Sequence, residues 1–415
     1  MSERRSESIE FREATKDDIP QIYDHVKAVH GEEIIPVVER IFNHKSDFVI
    51  EDNFIAYDSE KNLVASYLCL LRHTMLIDGA RIPMAQMEIV GTLPEYRNRG
   101  YIRRLNQLFE KRASLYEIPL FVIAGIPYYY RELGYEYAIP MLSRLIVAKE
   151  LIPKLKSGVT ESAEIIPIDT HNFDLFLEAR KQRNSFLNIY RDIETSDATY
   201  VLEGELGTET GLELQVLLNE EQIVGMFNIE VSWGNLQIEE LWVEDVKYIP
   251  TILRYAKKKA IERELAIAIE FPSNPEIAIN LERLAQSRFT QGYAWYTKIP
   301  NMKQFLELLA PALENRIDNS RFKDYTGDLR ISCFKEGFVI QFEKGVVESV
   351  EHLQQIHLKD MELFVPPKVI NQLVLGHFSY KELDEFYPDV TATSAKIPLV
   401  NVLFPKLNGN LRPET

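Results

Sequence analysis

The order of predicted elements constrains the fold of this chain more than any single residue does. A strand, a helix, strands, a helix, a strand, a short helix and a strand follow one another up to about residue 150. This alternation is typical of a mixed α/β unit. The order partly repeats between residues 151 and 299, and an amphipathic helix followed by short strands with glycine turns begins near residue 300. The pattern therefore predicts an α+β (mixed α/β) chain with domains at 1–150, 151–299 and 300–415.

Charge and composition limit the function classes. The 415 residues carry a net charge of -16, whereas a nucleic-acid-binding protein needs a broad basic face. The chain has no run of 18 apolar residues, and its charged N-terminus lacks the apolar core of a signal peptide. We expect a cytoplasmic protein without a membrane span and without a nucleic-acid partner.

The two cysteines, Cys69 and Cys333, lie far apart in sequence, and both have apolar, strand-like neighbours. The chain contains no CxxC motif and no cluster of histidine and cysteine. Structural zinc sites use such closely spaced ligands. We therefore expect buried free thiols and no metal site.

The segment "LPEYRNRGYIRRL", residues 93–105, concentrates positive charge in an otherwise acidic chain. A predicted strand, "MEIVGTL", leads into it, and an amphipathic helix begins near Gly100. The N-terminus of a helix presents free N–H groups and partial positive charge, and a glycine there lets the backbone approach an anion closely. The segment is neither a P-loop nor a GxGxxG fingerprint. The pattern predicts a diphosphate site, although arginines at a helix start also occur as plain surface residues.

Three segments in order give a family resemblance. Arg97-x-x-Gly100 resembles the acyl-CoA-binding motif (Q/R)xxGx(G/A) of the GNAT superfamily of N-acetyltransferases, with Ile102 where a small residue is usual. "YYYRELGYE", residues 128–136, resembles the "(F/Y)YxxxGF" segment of that family. The opening "FREATKDDIPQIYDH" resembles its first strand and helix.

Over nearly the whole chain, the layout resembles that of the Eis ("enhanced intracellular survival") acetyltransferases. The resemblance implies a catalytic GNAT domain, a second GNAT-like domain without the CoA motif and a C-terminal sterol-carrier-protein-like domain. In the second domain, "LWVEDVKYIPTIL" stands where the anion turn would be, and Glu244 and Asp245 would repel phosphate. One CoA site per chain is therefore expected. Since Eis relatives form hexamers, the resemblance also implies a homo-oligomer.

The resemblance assigns roles to individual positions. Acetyl-CoA is expected as co-substrate, with its pantetheine on the backbone of Val90 and Thr92 and its pyrophosphate in the turn at Gly100. Tyr130 corresponds to the general acid that reprotonates the CoA thiolate. The base is either the C-terminal carboxylate of Thr415 or Glu88 acting through water. The expected cofactor contacts are Val90, Gly91, Thr92, Arg97, Asn98, Arg99, Gly100, Tyr101, Ile102, Arg103, Gly125 and Ile126.

The expected function is transfer of an acetyl group from acetyl-CoA to a primary amine in a ternary complex. An aminoglycoside-like compound, a polyamine and a lysine side chain all remain open as acceptors. His25 and His30 are interpreted as ordinary residues of the first helix. The alternative is a non-enzymatic GNAT-derived scaffold that binds a lipid or a protein partner through the C-terminal domain.

Overall fold

The structure is a computed structural model that describes residues 9–141, 143–272, 274–290 and 293–412. Elements are numbered along the chain. The strands are β1 Ile9–Glu13, β2 Asn53–Asp58, β3 Leu63–Ile77, β4 Ala80–Thr92, β5 Leu120–Ile123, β6 Glu136–Pro140, β7 Arg144–Val147, β8 Glu164–Pro167, β9 Ile189–Arg191, β10 Leu212–Asn219, β11 Gln222–Ser232, β12 Asn235–Val243, β13 Ala266–Glu270, β14 Ala294–Lys298, β15 Gly327–Ser332, β16 Gly337–Glu343, β17 Val346–Leu353, β18 Leu363–Phe364, β19 Thr391–Ala392 and β20 Gly409–Asn410. The helices are α1 Ile19–His30, α2 Ile35–His44, α3 Tyr101–Leu115, α4 Phe173–Asn184, α5 Ala198–Leu202, α6 Ile249–Glu262, α7 Pro275–Ala285, α8 Met302–Asp318, α9 Val369–Val374, α10 Tyr380–Phe386 and α11 Ile397–Leu403.

The first sheet has the order β1-β2-β3-β4-β5-β14-β6, and β9 and β20 extend it beside β3. Helix α1 packs on β3 and β4, and α3 packs on β2, β3 and β4. The amphipathic helix predicted near Gly100 is confirmed as α3, and its apolar residues Ile102, Leu105 and Phe109 are buried against the sheet. Thr15 and Asp18 form a capping box at the short 3-10 turn that leads into α1.

The two halves of the chain exchange a strand. The segment 136–147, predicted as one strand of the first domain, is two strands, and β7 pairs with β13 of the second sheet. Conversely, β14 of the second half lies between β5 and β6 of the first sheet. The boundaries at 150 and 299 stay predictions of folding units, but hydrogen bonding crosses both. Sequence order could not reveal this, because local periodicity does not specify which sheet a short buried strand joins.

The second sheet, β7-β13-β12-β11-β10-β8, repeats a local detail of the first. In β4, Glu88 pairs with Cys69 of β3 and Gly91 pairs with Tyr67, so three residue intervals on β4 face two on β3. This is a β-bulge, in which Ile89 has φ 51°. β12 has the same bulge: Glu239 pairs with Asn228 of β11, Trp242 pairs with Met226, and Glu240 has φ 48°. The matching bulges align Glu88 with Glu239 and Gly91 with Trp242. This correspondence supports a tandem pair of related units.

The C-terminal part contains the sheet β17-β16-β15-β18-β19 and helices α8 to α11. Its core is continuous with the far end of the β3–β4 hairpin, where Met75, Ile82 and Met84 pack against residues of α8 and α11. This part is α+β as predicted, and the likeness to a sterol carrier protein stays a prediction. Within the described residues, no helix is both long and apolar enough to cross a membrane.

Candidate active site

A cavity of about 560 Å³ lies at the end of β4, beside the start of α3. Its walls contain most of the residues that sequence analysis singled out and add Val29, Tyr96, Tyr129, Glu132 and Leu133. The predicted residues that line it are Val90, Gly91, Thr92, Arg97, Asn98, Arg99, Gly100, Tyr101, Ile102, Arg103, Ile126 and Tyr130. Positions from three separate segments therefore meet at one cavity.

The cavity exists because β4 and β5 diverge. Their parallel pairing runs only from Met84↔Leu120 to Gln86↔Val122, although β4 continues to Thr92. The bulge at Ile89 requires a left-handed φ in a β-branched residue, which is a strained conformation. A bulge bends its strand and redirects the backbone groups that follow it. The edge of β4 beyond Gln86 can therefore accept an extended ligand as an added strand.

Gly91 lies where α1 presses on this edge. A Cβ at Gly91 would sit 2.8 Å from Val29 Cγ1, 2.9 Å from His30 Nε2 and 3.2 Å from His25 Nε2. His25 Nδ1 is 2.9 Å from the carbonyl oxygen of Val64, and His25 Nε2 is buried with no hydrogen-bond partner among the described residues. The two histidines are thus not simple solvent-facing helix residues, because they pack against the cavity wall through Gly91.

His25 should make the fold sensitive to acid. Burial lowers the pKa of His25 to about 4, whereas the pKa of an unfolded histidine is about 6.5. The unfolded chain therefore binds the proton first, so the contribution of neutral His25 is complete above pH 6.5 and is lost as the pH falls toward 4. The loss amounts to about 3 kcal/mol of unfolding free energy. In urea titrations from pH 7 to 4.5, His25→Gln should lose less stability than the wild type, and parallel losses would contradict this.

The turn before α3, called the anion seat below, has the backbone geometry expected of an anion-binding site. Asn98 and Gly100 both have positive φ, 62° and 76°, and Gly100 is the N-cap of a 15-residue helix. Backbone N–H groups in such alternating conformations converge on one point, and the helix end adds partial positive charge. Glycine is favoured at 100 because of its left-handed φ rather than for lack of space.

The arginines around this turn differ in position. Arg97 Nε donates to the carbonyl oxygen of Thr92 over 3.1 Å, and Arg99 Nη2 donates to that of Glu95 over 3.0 Å, so both are tied to the turn. Arg103 also lines the cavity. Its Nη2 lies 3.9 Å from Glu132 Oε2, so the carboxylate of Glu132 partly offsets the positive charge of Arg103. Arg104 instead lies over the ring of Phe11, 3.6 Å from its centroid. Three of the four arginines, Arg97, Arg99 and Arg103, therefore line the cavity beside this turn.

Tyr130 is 5% exposed and lines the cavity, while Gly125 lies beneath it. A Cβ at Gly125 would be 2.0 Å from a ring carbon of Tyr130, so only glycine leaves room for this ring. Gly125 does not line the cavity itself. Its role as a direct cofactor contact stays a prediction, and the structure adds a supporting role beneath Tyr130. Burial, with a contribution from the charge of Glu88, raises the pKa of Tyr130, so its phenol is protonated at neutral pH.

The exchanged strand β14 contributes to this region. Tyr296 packs against Tyr130 with ring centroids 5.6 Å apart. Tyr293 donates a hydrogen bond to the carbonyl oxygen of Gly125 over 2.9 Å, and Tyr137 bonds to both Tyr293 and Tyr296 over 2.7 Å. Sequence analysis missed these tyrosines, because nothing in the "GYAWYTKI" segment indicates that it joins the first sheet.

Of the two candidate bases, the structure describes one. Glu88 lies on β4 next to the bulge, and Gln86 Nε2 donates a hydrogen bond to its Oε1. Burial raises the pKa of Glu88, and its charge contributes to the raised pKa values of Tyr130 and Cys69. Thr415 lies outside the described residues.

The corresponding place in the second sheet is filled by a large side chain. Trp242 occupies the position of Gly91, and it is 4% exposed and packed in the core between the two sheets. In the loop that follows β12, Asp245 Oδ1 accepts a hydrogen bond from the backbone N–H of Lys247. The repeated spacing of Gln86–Glu88 and Gln237–Glu239 was a signal in the sequence that could have identified this correspondence.

Both cysteines are buried and free, as predicted. Burial raises the pKa of Cys333 to about 12, so its thiol is protonated at neutral pH. In the described part of the chain, no group of three histidine, cysteine or acidic side chains is arranged to hold a metal ion.

Comparison with known proteins agrees with this description. Residues 10–138 match the family model of the acetyltransferase (GNAT) domain. No curated protein sequence matches the chain. A probable N-acyltransferase from Enterococcus faecalis V583 superposes with a TM-score of 0.72 at 14% identity, covering 98% of this chain and 99% of that one.

Two further solved structures extend over almost the whole chain. A GCN5-related N-acetyltransferase from Anabaena variabilis has a TM-score of 0.69 at 19% identity and covers 97% of this chain and 99% of its own. Eis1 from Mycobacterium abscessus has a TM-score of 0.58 at 11% identity, and the superposition covers 98% of this chain and 99% of Eis1. Residues 10–138 are therefore similar to the GNAT acetyltransferase domain, and the whole chain shares its fold with these solved structures.

Proposed function

We propose that the protein is an acetyl-CoA-dependent N-acetyltransferase that acts on a primary amine. The observation that carries this proposal is the convergence of the open edge of β4, the anion seat at Gly100 and Tyr130 on one cavity. A diphosphate fits the seat because the seat combines backbone N–H groups, a helix N-terminus and arginine side chains. The pantetheine arm would then run along β4 toward Glu88.

The reaction would be a direct acyl transfer. The neutral amine attacks the thioester carbonyl carbon, the C–N bond forms, the C–S bond breaks, and a proton leaves the nitrogen. Backbone N–H groups near Val90, redirected by the bulge, would stabilise the carbonyl oxygen as negative charge develops. Tyr130, kept protonated by burial, would give its proton to the departing thiolate.

The base remains a choice between two groups. Glu88 has a raised pKa, which brings a carboxylate closer to the neutral range where a general base works best. The C-terminal carboxylate of Thr415 is the alternative implied by the Eis resemblance. Arg412, the last described residue, lines a small cavity with Arg40 and Tyr200. Tyr200 lies in the same buried cluster as Cys69, the strand partner of Glu88, and Ile89, its chain neighbour, so packing connects that cavity to the surroundings of Glu88.

The deciding experiment measures thiol release from acetyl-CoA with a panel of polyamines, aminoglycosides and lysine peptides. The proposal requires amine-dependent CoA release at a rate above hydrolysis, with acetylated amine detected by mass spectrometry. If acetyl-CoA binds but no amine on the panel increases CoA release, the chain is better described as a scaffold. Comparing Glu88→Gln with deletion of Glu414–Thr415 then identifies the base as the change that abolishes turnover.

A further inference from the structure

The C-terminal segment is fixed between the two sheets. β20 pairs in parallel with β9 of the first sheet, through Gly409↔Ile189. Trp295 Nε1 donates to the carbonyl oxygen of Leu411 over 2.8 Å in a buried hydrogen bond. The next residue, Arg412, bonds to Glu230 Oε2, and its Nε lies 3.1 Å from Glu239 Oε2. Strand pairing, an indole hydrogen bond and an ion-pair network thus hold four consecutive residues.

The second carboxylate in this network, Glu239, forms an ion pair with Arg412 and is the counterpart of Glu88 in the second sheet. Glu239 occupies in β12 the position that Glu88 occupies in β4, relative to the matching bulges. Each receives a hydrogen bond from the glutamine two residues earlier, Gln237 or Gln86. In the first sheet this carboxylate borders the candidate catalytic residues. In the second, where Trp242 fills the position of Gly91, it contacts the chain's own Arg412.

Arg412 also belongs to a wall near the first site. It lines a cavity of about 70 Å³ together with Arg40 of α2, Arg191 of β9 and Tyr200 of α5. The guanidinium of Arg40 lies 4.8 Å from the ring centroid of Tyr200. Burial raises the pKa of Tyr200, and the charge of Glu88 adds to the rise. Tyr200 is buried in the same cluster as Cys69 and Ile89, which flank Glu88, so a displacement of Arg412 would disturb side chains packed next to Glu88.

We infer that Glu239 of the second sheet, together with Glu230, binds Arg412 and so fixes the C-terminal segment. Arg412 then acts as a positioning residue for the amine-binding side of the proposed active site. The kinetic part of this inference rests on the proposed acetyltransferase function. The structural part, that Glu239 and Glu230 hold the C-terminal segment, does not. Because Arg412 does not line the CoA cavity, its loss should affect the amine and not acetyl-CoA.

The kinetic test compares Arg412→Met with Arg316→Met. Arg316 is a suitable control because its side chain is also largely shielded from solvent and bonds across units to Asp78 over 2.6 Å, besides donating to the carbonyl oxygen of Leu403. Arg412→Met should lower kcat/KM for the amine at least tenfold, change its pH profile and leave KM for acetyl-CoA within twofold. Arg412→Lys should recover part of the loss. Arg316→Met should lower the melting temperature without these kinetic changes.

The structural test uses hydrogen exchange on the full chain and needs no activity. Backbone amides of 409–411 should exchange at least tenfold faster in Arg412→Met and in Glu239→Gln than in the wild type, whereas Arg316→Met should leave them protected. Unchanged protection together with unchanged amine kinetics would overturn the inference. A wild type that releases no CoA with any amine would instead overturn the proposed function and the kinetic part of the inference. The exchange result would then decide by itself whether Glu239 and Glu230 hold the C-terminal segment.

Discussion

Replacement of Tyr130 by phenylalanine should reduce kcat for CoA release about 100-fold, near the lower end of the range for a general acid. The variant removes only the phenol oxygen, and the ring contacts with Tyr129, Tyr135 and Tyr296 can remain. We therefore expect KM for acetyl-CoA and the melting temperature to change little. A thiolate is already a fair leaving group, which is why a larger loss is not expected.

Tyr135→Phe is the matched control for this prediction. Tyr135 belongs to the same aromatic cluster but is fully buried, and its hydroxyl faces Asn106 rather than the cavity. Its replacement should leave kcat within about twofold of the wild-type value. Equal effects of the two substitutions would show that packing, and not proton donation, explains the importance of Tyr130. Steady-state kinetics with a saturating amine, together with melting curves, make the comparison.

Loss of both arginines of the anion seat, Arg97→Gln with Arg99→Gln, should raise KM for acetyl-CoA by a factor of about 100 to 10,000. Each charge-assisted hydrogen bond to phosphate contributes about 1.5–3 kcal/mol, and a tenfold change in affinity corresponds to about 1.4 kcal/mol. Since the seat binds the diphosphate in both the ground state and the transition state, kcat at saturation should fall much less.

Arg104→Gln provides the control for the anion seat. It removes one positive charge one turn into α3, from a side chain that lies over Phe11 and does not line the cavity. Its effect on KM should be below about threefold and should shrink as salt is added, because it acts only through the long-range field. An increase in KM as large as that of the double variant would contradict a specific seat and indicate a general basic field.

The sequence was most informative where function depends on consecutive residues. The strand, turn and helix from Val90 to Arg103 could be predicted because glycine, arginine and apolar spacing act locally. Tyr130 followed from a similar short segment. The supporting role of Gly125 beneath Tyr130 could not be predicted, because a glycine under a ring and a glycine against a ligand give the same one-letter signal.

Long-range features were not predictable in the same way. The position of Tyr293 beside Gly125 depends on β14 joining the first sheet, and no local pattern specifies this pairing. The ion pair between Arg412 and Glu230 joins residues that are 182 positions apart. His25 could be placed on a helix, but its contact with Gly91 depends on how that helix packs on β4. Such contacts require the tertiary structure.

The exchanged strands also have a consequence for biosynthesis. The gap between β5 and β6 can be filled only when β14 has left the ribosome, more than 150 residues after β6 has been made. Until then the nascent first unit exposes two unpaired strand edges, which are sites for wrong pairing and aggregation. β7, in turn, must wait for β13. The two units are therefore expected to complete their folding together, late in translation.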